Sequence, residues 1–200
     1  ILNLCQIHLG KPTFTFSSGH ASDKEMERAR EDLSEWFSFI LPDEGEYDID
    51  SLLAYVDDDI EEFGTNGFVL DPFTEVDLKR ASNESEVEAI KNRLARIQKF
   101  TRTRMVHTWL LVHPTKSGTD SYVQAIDGTM RPTLYSAAGS SQFANKSDHG
   151  LIIHRQQDDR VVIYSDKCRF DSLGGRGHAV FKYDPSARSY LQEAKETWEK

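Results

Sequence analysis

Apolar residues recur through the first half of the chain at the three- and four-residue spacing of amphipathic helices, broken by two short runs too continuously apolar for that period. Ser22 stands three residues ahead of Glu25, the signature of a capping box, and Met26, Ala29, Leu33, Trp36, Phe37 and Ile40 follow at helical spacing. A helix packed along that stripe is predicted, after a short extended stretch over 12–16. A second helix is predicted over about 50–63, with Leu52, Leu53, Val56, Ile60 and Phe63 on one side and Gly64 placed to end it. A third, over about 84–101, sets Val87, Ile90, Leu94, Ile97 and Thr101 in one stripe.

The two runs are GFVLD at 67–71 and MVHTWLLVH at 105–113. Both are short, apolar and closed by a polar residue, which predicts strands buried on both faces of a parallel sheet, His107 among them. Helix, strand, helix, strand is the rhythm of α/β layers. From 114 to 148 Ser, Thr, Gly, Asp and Asn predominate, and 118–132 reads as mobile loop. Strand patterns return in LIIHR at 151–155, RVVIYS at 160–165 and HAVFKYD at 178–184, with QQDD and GGRG as turns between them. They predict a carboxy-terminal antiparallel meander.

Composition narrows the class. Apolar residues make up 38% and charged residues 28% of the chain, as in ordinary globular domains. No apolar run nears the roughly 20 residues that span a bilayer, and the opening ILNLCQIHLGK has neither a basic leader nor a small-residue cleavage site, so no membrane is expected. Cys5 and Cys168 lack metal-ligand spacing and are expected to be reduced. The net charge of −9 argues against a lysine-coated nucleic-acid binder, so any DNA contact must be local. The acids at 57–62 read as a solvated helix face.

In open α/β sheets ligands gather at the carboxyl ends of strands, which singles out Asp71 and His113. An apolar strand ending in aspartate is the arrangement that brings a carboxylate to the magnesium of a nucleotide, although such an aspartate also serves as a helix cap. A neutral imidazole at the next strand end could sense a γ-phosphate, whereas His107 and His154 read as packing or surface residues. Taken alone, Arg169 reads as a surface arginine paired with Asp166 or Asp171.

Read in order, GFVLDPFTE at 67–75, LLVHPTK at 110–116, PTLYSAAGSSQFANKSDHGLIIHR at 132–155 and KCRF at 167–170 resemble the RecA-like motor domain of Twinkle- and DnaB-type replicative DNA helicases, in the phage and organellar primase-helicase branch. The likeness runs from LGKPTF at 9–14 to about Tyr183. It implies a P-loop NTPase core, mostly parallel sheet flanked by helices with an antiparallel extension, working as an ATP- and Mg2+-dependent, ring-forming hydrolase that unwinds duplex DNA. By this resemblance Asp71 is the Walker B aspartate and metal ligand, Glu75 belongs to its DPxxE extension, and His113 is the γ-phosphate sensor. Residues 139–148 form the loop that grips single-stranded DNA, with Gly139, Ser140, Gln142, Asn145 and Lys146 as contacts. Arg169 is the arginine finger that reaches a neighbouring subunit's nucleotide, with Lys167 beside it.

The implied partners are single-stranded DNA, further copies of the chain in a homo-hexamer, and a fused or associated primase, with 5′ to 3′ translocation. The cytoplasm of a bacterial or phage-infected cell, or an organelle matrix, is the expected location. The departures matter as well. No GxxxxGK[ST] loop occurs, since Gly10 and Lys11 are followed by proline, and the catalytic glutamate is missing. Because the chain also opens on Ile1, the expectation is a single partial motor domain over 1–200, running from Walker B to arginine finger without its phosphate-binding portion and inactive in isolation. The alternative is a non-catalytic RecA-fold module that binds DNA or a partner; a recombinase or circadian-type ATPase fits the later motifs less well.

Overall fold

The computed structural model describes the chain except residues 15–16, 43–46, 78–82, 116–120, 138–140, 157–158, 193–196 and 200, and of 197–199 it describes the backbone alone. Helices α1 (Leu2–Leu9), α2 (Asp23–Ser34) and α3 (Ile49–Phe63) lead into strand β1 (Gly67–Leu70) and a 3₁₀ turn (Phe73–Glu75). Helix α4 (Glu86–Arg104), β2 (His107–Leu110), β3 (Tyr122–Gln124) and β4 (Met130–Pro132) follow, then a second 3₁₀ turn (Leu134–Ser136) and α5 (Gln142–Lys146). The chain closes with β5 (His149–Arg155), β6 (Arg160–Cys168), β7 (Arg176–Asp184), β8 (Ser189–Gln192) and β9 (Thr197–Glu199). Contacts divide it into two compact units, 40–152 with 166–174, and 1–39 with 153–165 and 175–200.

In the first of these units the helices form for local reasons. Asp48 caps α3 by accepting the N–H groups of Asp50 and Ser51, and Gly64 closes it in the left-handed conformation, at φ 68°. Ser85 and Glu88 form a reciprocal capping box at the start of α4. Ile49 and Leu53 of α3 and Ile90, Leu94 and Ile97 of α4 bury their side chains with Phe73, Val76 and Phe143 in one core. Val87, expected on that stripe, is 48% exposed, while Ala89 takes the buried place. At the other end of these helices Arg104 pairs with Asp57 and Glu61, so part of the acidic face is neutralised.

Strands β1 and β2 pair in parallel, Gly67 opposite His107 and Leu70 opposite Leu110, as the two apolar runs predict. Glycine is required at 67, where an added Cβ would lie 2.8 Å from the His107 carbonyl oxygen. The expected burial of both faces is not found. Phe68, Leu70 and Leu110 pack against the core, but among the described residues the opposite face is open, with Val69 60% and Trp109 50% exposed. His107 is likewise exposed, its ring 5.0 Å from that of Trp109, which corrects the expectation that it is buried. A run of apolar letters therefore marked strands whose side chains alternate between a covered and an uncovered face.

The span read as mobile loop contains a hairpin: β3 and β4 pair antiparallel, Tyr122 opposite Pro132 and Gln124 opposite Met130. Strands of three residues are too short to display a period, which is why the pattern missed them. The expected meander is present and longer than predicted. Strands β6 and β7 pair antiparallel from Arg160↔Lys182 to Ser165↔Gly177, β8 and β9 both add to β7, and β5 lies beside β6.

In the second unit Ser22 and Glu25 make the expected capping box, but α2 ends at Ser34. Trp36 and Phe37 turn back to the Leu33 carbonyl, and Trp36 is 81% exposed, so the stripe does not continue to Ile40. Met26 and Ala29 pack instead with Cys5 and Ala21. Helix α1 is anchored through Gln6, buried, whose amide donates to the Ser186 carbonyl at 2.7 Å.

Candidate functional site

Two groups of sequence-predicted residues lie in the unit formed by 40–152 and 166–174. The first rides on the parallel pair. Leu111 N–H donates to the Leu70 carbonyl at 3.0 Å and Phe73 N–H to the Leu111 carbonyl at 2.9 Å, so the two strands leave the sheet at the same end. Asp71 comes directly after β1, whereas β2 ends at Leu110, short of the run predicted to 113, so that His113 stands three residues beyond it; both are exposed. Glu75 ends the 3₁₀ turn, exposed, while Phe73 and Val76 of the same segment are buried and pin it to the core. Past His113 the chain is fixed by a bridge between Pro114 and Ala137 and by Thr115 N–H on the Ser136 carbonyl at 2.8 Å.

An exposed carboxylate at the end of a parallel strand suits Mg2+, which retains water and takes one or two carboxylates beside its phosphate ligands. Among the described residues no cluster of three or more His, Cys, Asp or Glu forms a cage for a metal on its own. Nothing in the 200 residues has the glycine-rich pattern that cradles phosphates.

The second group surrounds α5. Gly139 and Ser140, expected to touch DNA, lie outside the described residues. The rest of the expected grip loop is not all loop: Gln142, Asn145 and Lys146 belong to α5, which buries Phe143 and Ala144 and leaves Asn145 exposed. The Phe143 ring meets Phe73 edge to face at 5.1 Å, joining this helix to the segment that succeeds Asp71.

The last carbonyls of α5 have no partners within the helix and are taken by side chains from elsewhere. Gln98 of α4 donates to the Lys146 carbonyl at 2.5 Å. Lys167 donates to the Ala144 carbonyl at 2.6 Å and more weakly to that of Asn145. Arg169 donates to the Asn145 carbonyl at 3.2 Å and to Asp148 Oδ1 at 2.6 Å. Cations are favoured at a helix carboxyl end. Burial nevertheless pushes the Lys167 ammonium below its ordinary range, with repulsion from Arg169 adding and Asp148 opposing.

Of the two cations, then, Lys167 is turned inward and Arg169 is the more open to solvent. The acid on Arg169 is neither Asp166 nor Asp171, the two suggested by proximity in sequence. Asp166 is taken by Arg131 in a two-pronged pair, at 3.0 and 2.9 Å, which ties β4 to the end of β6. Sequence reasoning passed over Asp148, Phe143 and Gln98; Asp148 stands within the FANKSDHG motif, so the motif itself was the available signal.

No family model matches the chain. It is 30% identical over 198 residues, 94% of its length, to a Twinkle homolog protein, chloroplastic/mitochondrial, of Arabidopsis thaliana. It spans about a quarter of that relative, 27% of its length. Among solved structures it resembles an ATPase domain with a TM-score of 0.73 at 14% identity, covering 96% of this chain and 69% of that one. A DnaB-like replicative helicase, described with its interactions with primase, matches with a TM-score of 0.72 at 15% identity over 95% of this chain and 47% of its own. A KaiC-like protein from Pyrococcus horikoshii matches at 0.53 and 10% identity, covering 96% of this chain and 80% of that one. These structures establish a RecA-like fold.

Proposed function

We propose that this chain, a RecA-like domain of the Twinkle and DnaB type, is the motor part of an ATP-dependent, ring-forming helicase that separates duplex DNA during replication. The observation that carries the reading is the placement of Asp71 and His113 at one end of a parallel strand pair, within a chain that matches a Twinkle homologue along nearly its whole length. In this reading Asp71 holds Mg2+ through water, Glu75 supports it, and His113 meets the γ-phosphate. ATP supplies the phosphoryl group whose hydrolysis drives the motor. Arg169, with Lys167 next to it, completes the nucleotide site of an adjacent copy in a hexamer, a role for which a permanently charged, forked guanidinium is suited.

Gln142, Asn145 and Lys146, with Gly139 and Ser140, contact single-stranded DNA. A small polar helix repeated six times around a channel reconciles local positive charge with a net charge of −9. A primase, fused or associated, is a further partner by analogy with the DnaB-like neighbour, and the Twinkle relative favours an organelle matrix, with cytoplasm as the other setting. No helix among the described residues is long and apolar enough to cross a membrane.

The test is DNA-stimulated ATP hydrolysis and strand separation by the complete gene product, with Asp71→Ala as control. Both activities should be present and should vanish in the variant. The 200-residue chain by itself should neither turn over ATP nor bind it tightly, because it has no phosphate-cradling loop. The second reading is a non-catalytic RecA-fold module. A complete gene product that binds single-stranded DNA without hydrolysing ATP would establish the module instead.

A further inference from the structure

Arg169 is tied to Asp148 twice over. The main-chain N–H of Arg169 donates to the Asp148 carbonyl at 2.9 Å, and its guanidinium reaches Asp148 Oδ1 at 2.6 Å. A second prong, Nη2, rests on the Asn145 carbonyl at the end of α5. The two side chains of this ion pair are 36% and 45% exposed, so the pair adds little to stability. Its contribution is direction. An arginine without such anchors loses side-chain entropy when it is fixed for reaction, and two anchors meet part of that cost in advance.

A guanidinium carries five N–H donors in a rigid fork. One donor on Asp148 and one on Asn145 leave the others for a phosphate. The neighbouring acid Asp166 is occupied by Arg131 and cannot substitute. Lys167 points to the Ala144 carbonyl and cannot replace the arginine.

We infer that Asp148 is a positioning residue for Arg169, holding the guanidinium against the end of α5 in the orientation from which it engages a neighbouring subunit's nucleotide. This rests on the reading of Arg169 as acting in trans. It also assigns Asp148 a task separate from the DNA contacts of α5, although the two share the Asn145 peptide.

The experiment measures DNA-stimulated ATP hydrolysis by the complete gene product carrying Asp148→Asn, Asp148→Glu, Arg169→Ala, or Asp148→Asn together with Arg169→Ala. Asp148→Asn is expected to lower kcat by about 10²-fold, the effect of misplacing a catalytic group by roughly an ångström, with KM for ATP little changed. Asp148→Glu should recover part of the loss. In the Arg169→Ala background Asp148→Asn should cost nothing further, whereas a merely structural aspartate would add its loss to both backgrounds.

In the 200-residue chain, the Arg169 Nε–Hε resonance should be distinct and should merge with those of solvated arginines on Asp148→Asn, giving a readout that does not depend on turnover. If Asp148→Asn fails to fold, Asp148→Glu carries the comparison, with an intermediate kcat expected. Full turnover by Asp148→Asn while Arg169→Ala is inactive overturns the positioning role and leaves the proposed function standing. Normal turnover by Arg169→Ala removes the finger assignment and with it the positioning role, while the hydrolysis itself leaves the proposed motor standing.

Discussion

Asp71 follows β1 directly and His113 stands three residues past β2, on backbone positioned by bonds such as Leu111 N–H to the Leu70 carbonyl, whereas Lys167 and Arg169, at the end of β6, are positioned by their own side chains on Ala144, Asn145 and Asp148. The backbone ladder is indifferent to the side chain at its end, so residue 71 can change without moving the strand. The cluster at α5 has no such independence. Replace a member there and its partner carbonyl or carboxylate must find water or another donor. The two groups within one compact unit therefore differ in how far function and stability can be separated.

The largest effect expected is on turnover. In the complete gene product, Arg169→Ala should lower DNA-stimulated hydrolysis by about 10³-fold or more, and Arg169→Lys should restore little, since an ammonium cannot reproduce the fork. Mixed hexamers of Arg169→Ala and Asp71→Ala subunits should regain some hydrolysis where an intact Asp71 faces an intact Arg169. A mixture as inactive as its parents, with mixed hexamers demonstrated, means either that Arg169 acts within its own subunit or that hydrolysis must pass around a fully competent ring.

The next effect is on stability and tests the contrast directly. Arg131→Ala leaves Asp166, 16% exposed, without its two-pronged partner, and should cost about 3 kcal/mol in urea denaturation of the 200-residue chain. Asp71→Asn, by contrast, should stay within about 0.5 kcal/mol of the parent. Comparable losses from both would erase the distinction between ladder-held and side-chain-held positions.

A smaller change is expected at α4, which supplies Gln98 to the end of α5. Ser85→Ala removes the capping box and should cost about 1 kcal/mol, read as a shift in the denaturation midpoint with unchanged slope. The smallest effect lies in the other unit, at the cap of α2. There the Lys11 ammonium, at 2.5 Å, and then the Ser22 N–H and hydroxyl pull the Glu25 carboxyl down to about 2. Because its folded value lies below its unfolded one, its contribution is present above about pH 4.5 and is lost as pH falls toward 2. Glu25→Gln should flatten helix loss in that window, as followed by circular dichroism, and an identical acid profile in parent and variant would show that the cap does not titrate as described.

The parts legible in the sequence were those whose cause lies within a few residues. Ser22 with Glu25, and Gly64 after Phe63, mark helix ends because a cap is made with the neighbouring turn. The β1–β2 pair was legible for a related reason: two apolar runs joined through a long helix can pair in parallel, and the observed register aligns their ends. Where the periodicity failed, it lacked information about coverage. Trp36 and Phe37 continue a helical spacing that the backbone abandons at Ser34, and His107 sits in an apolar run on a face that no described residue covers.

By itself, then, the sequence marked the Ser22–Glu25 and Gly64 helix ends, the three longest helices, the β1–β2 pair and the carboxy-terminal strand pattern, since each depends on local backbone chemistry or on a period read over one element; it did not mark α1, the β3–β4 hairpin or α5. Only the tertiary structure decided that Arg169 meets Asp148, 21 residues away, that Asp166 belongs to Arg131, 35 residues away, and that Lys167 and Gln98 close the end of α5. Charge attraction makes several acids acceptable to one arginine. The choice among them is made by which strand and helix ends the fold brings within about 3 Å, and that distance is set by the packing of whole elements.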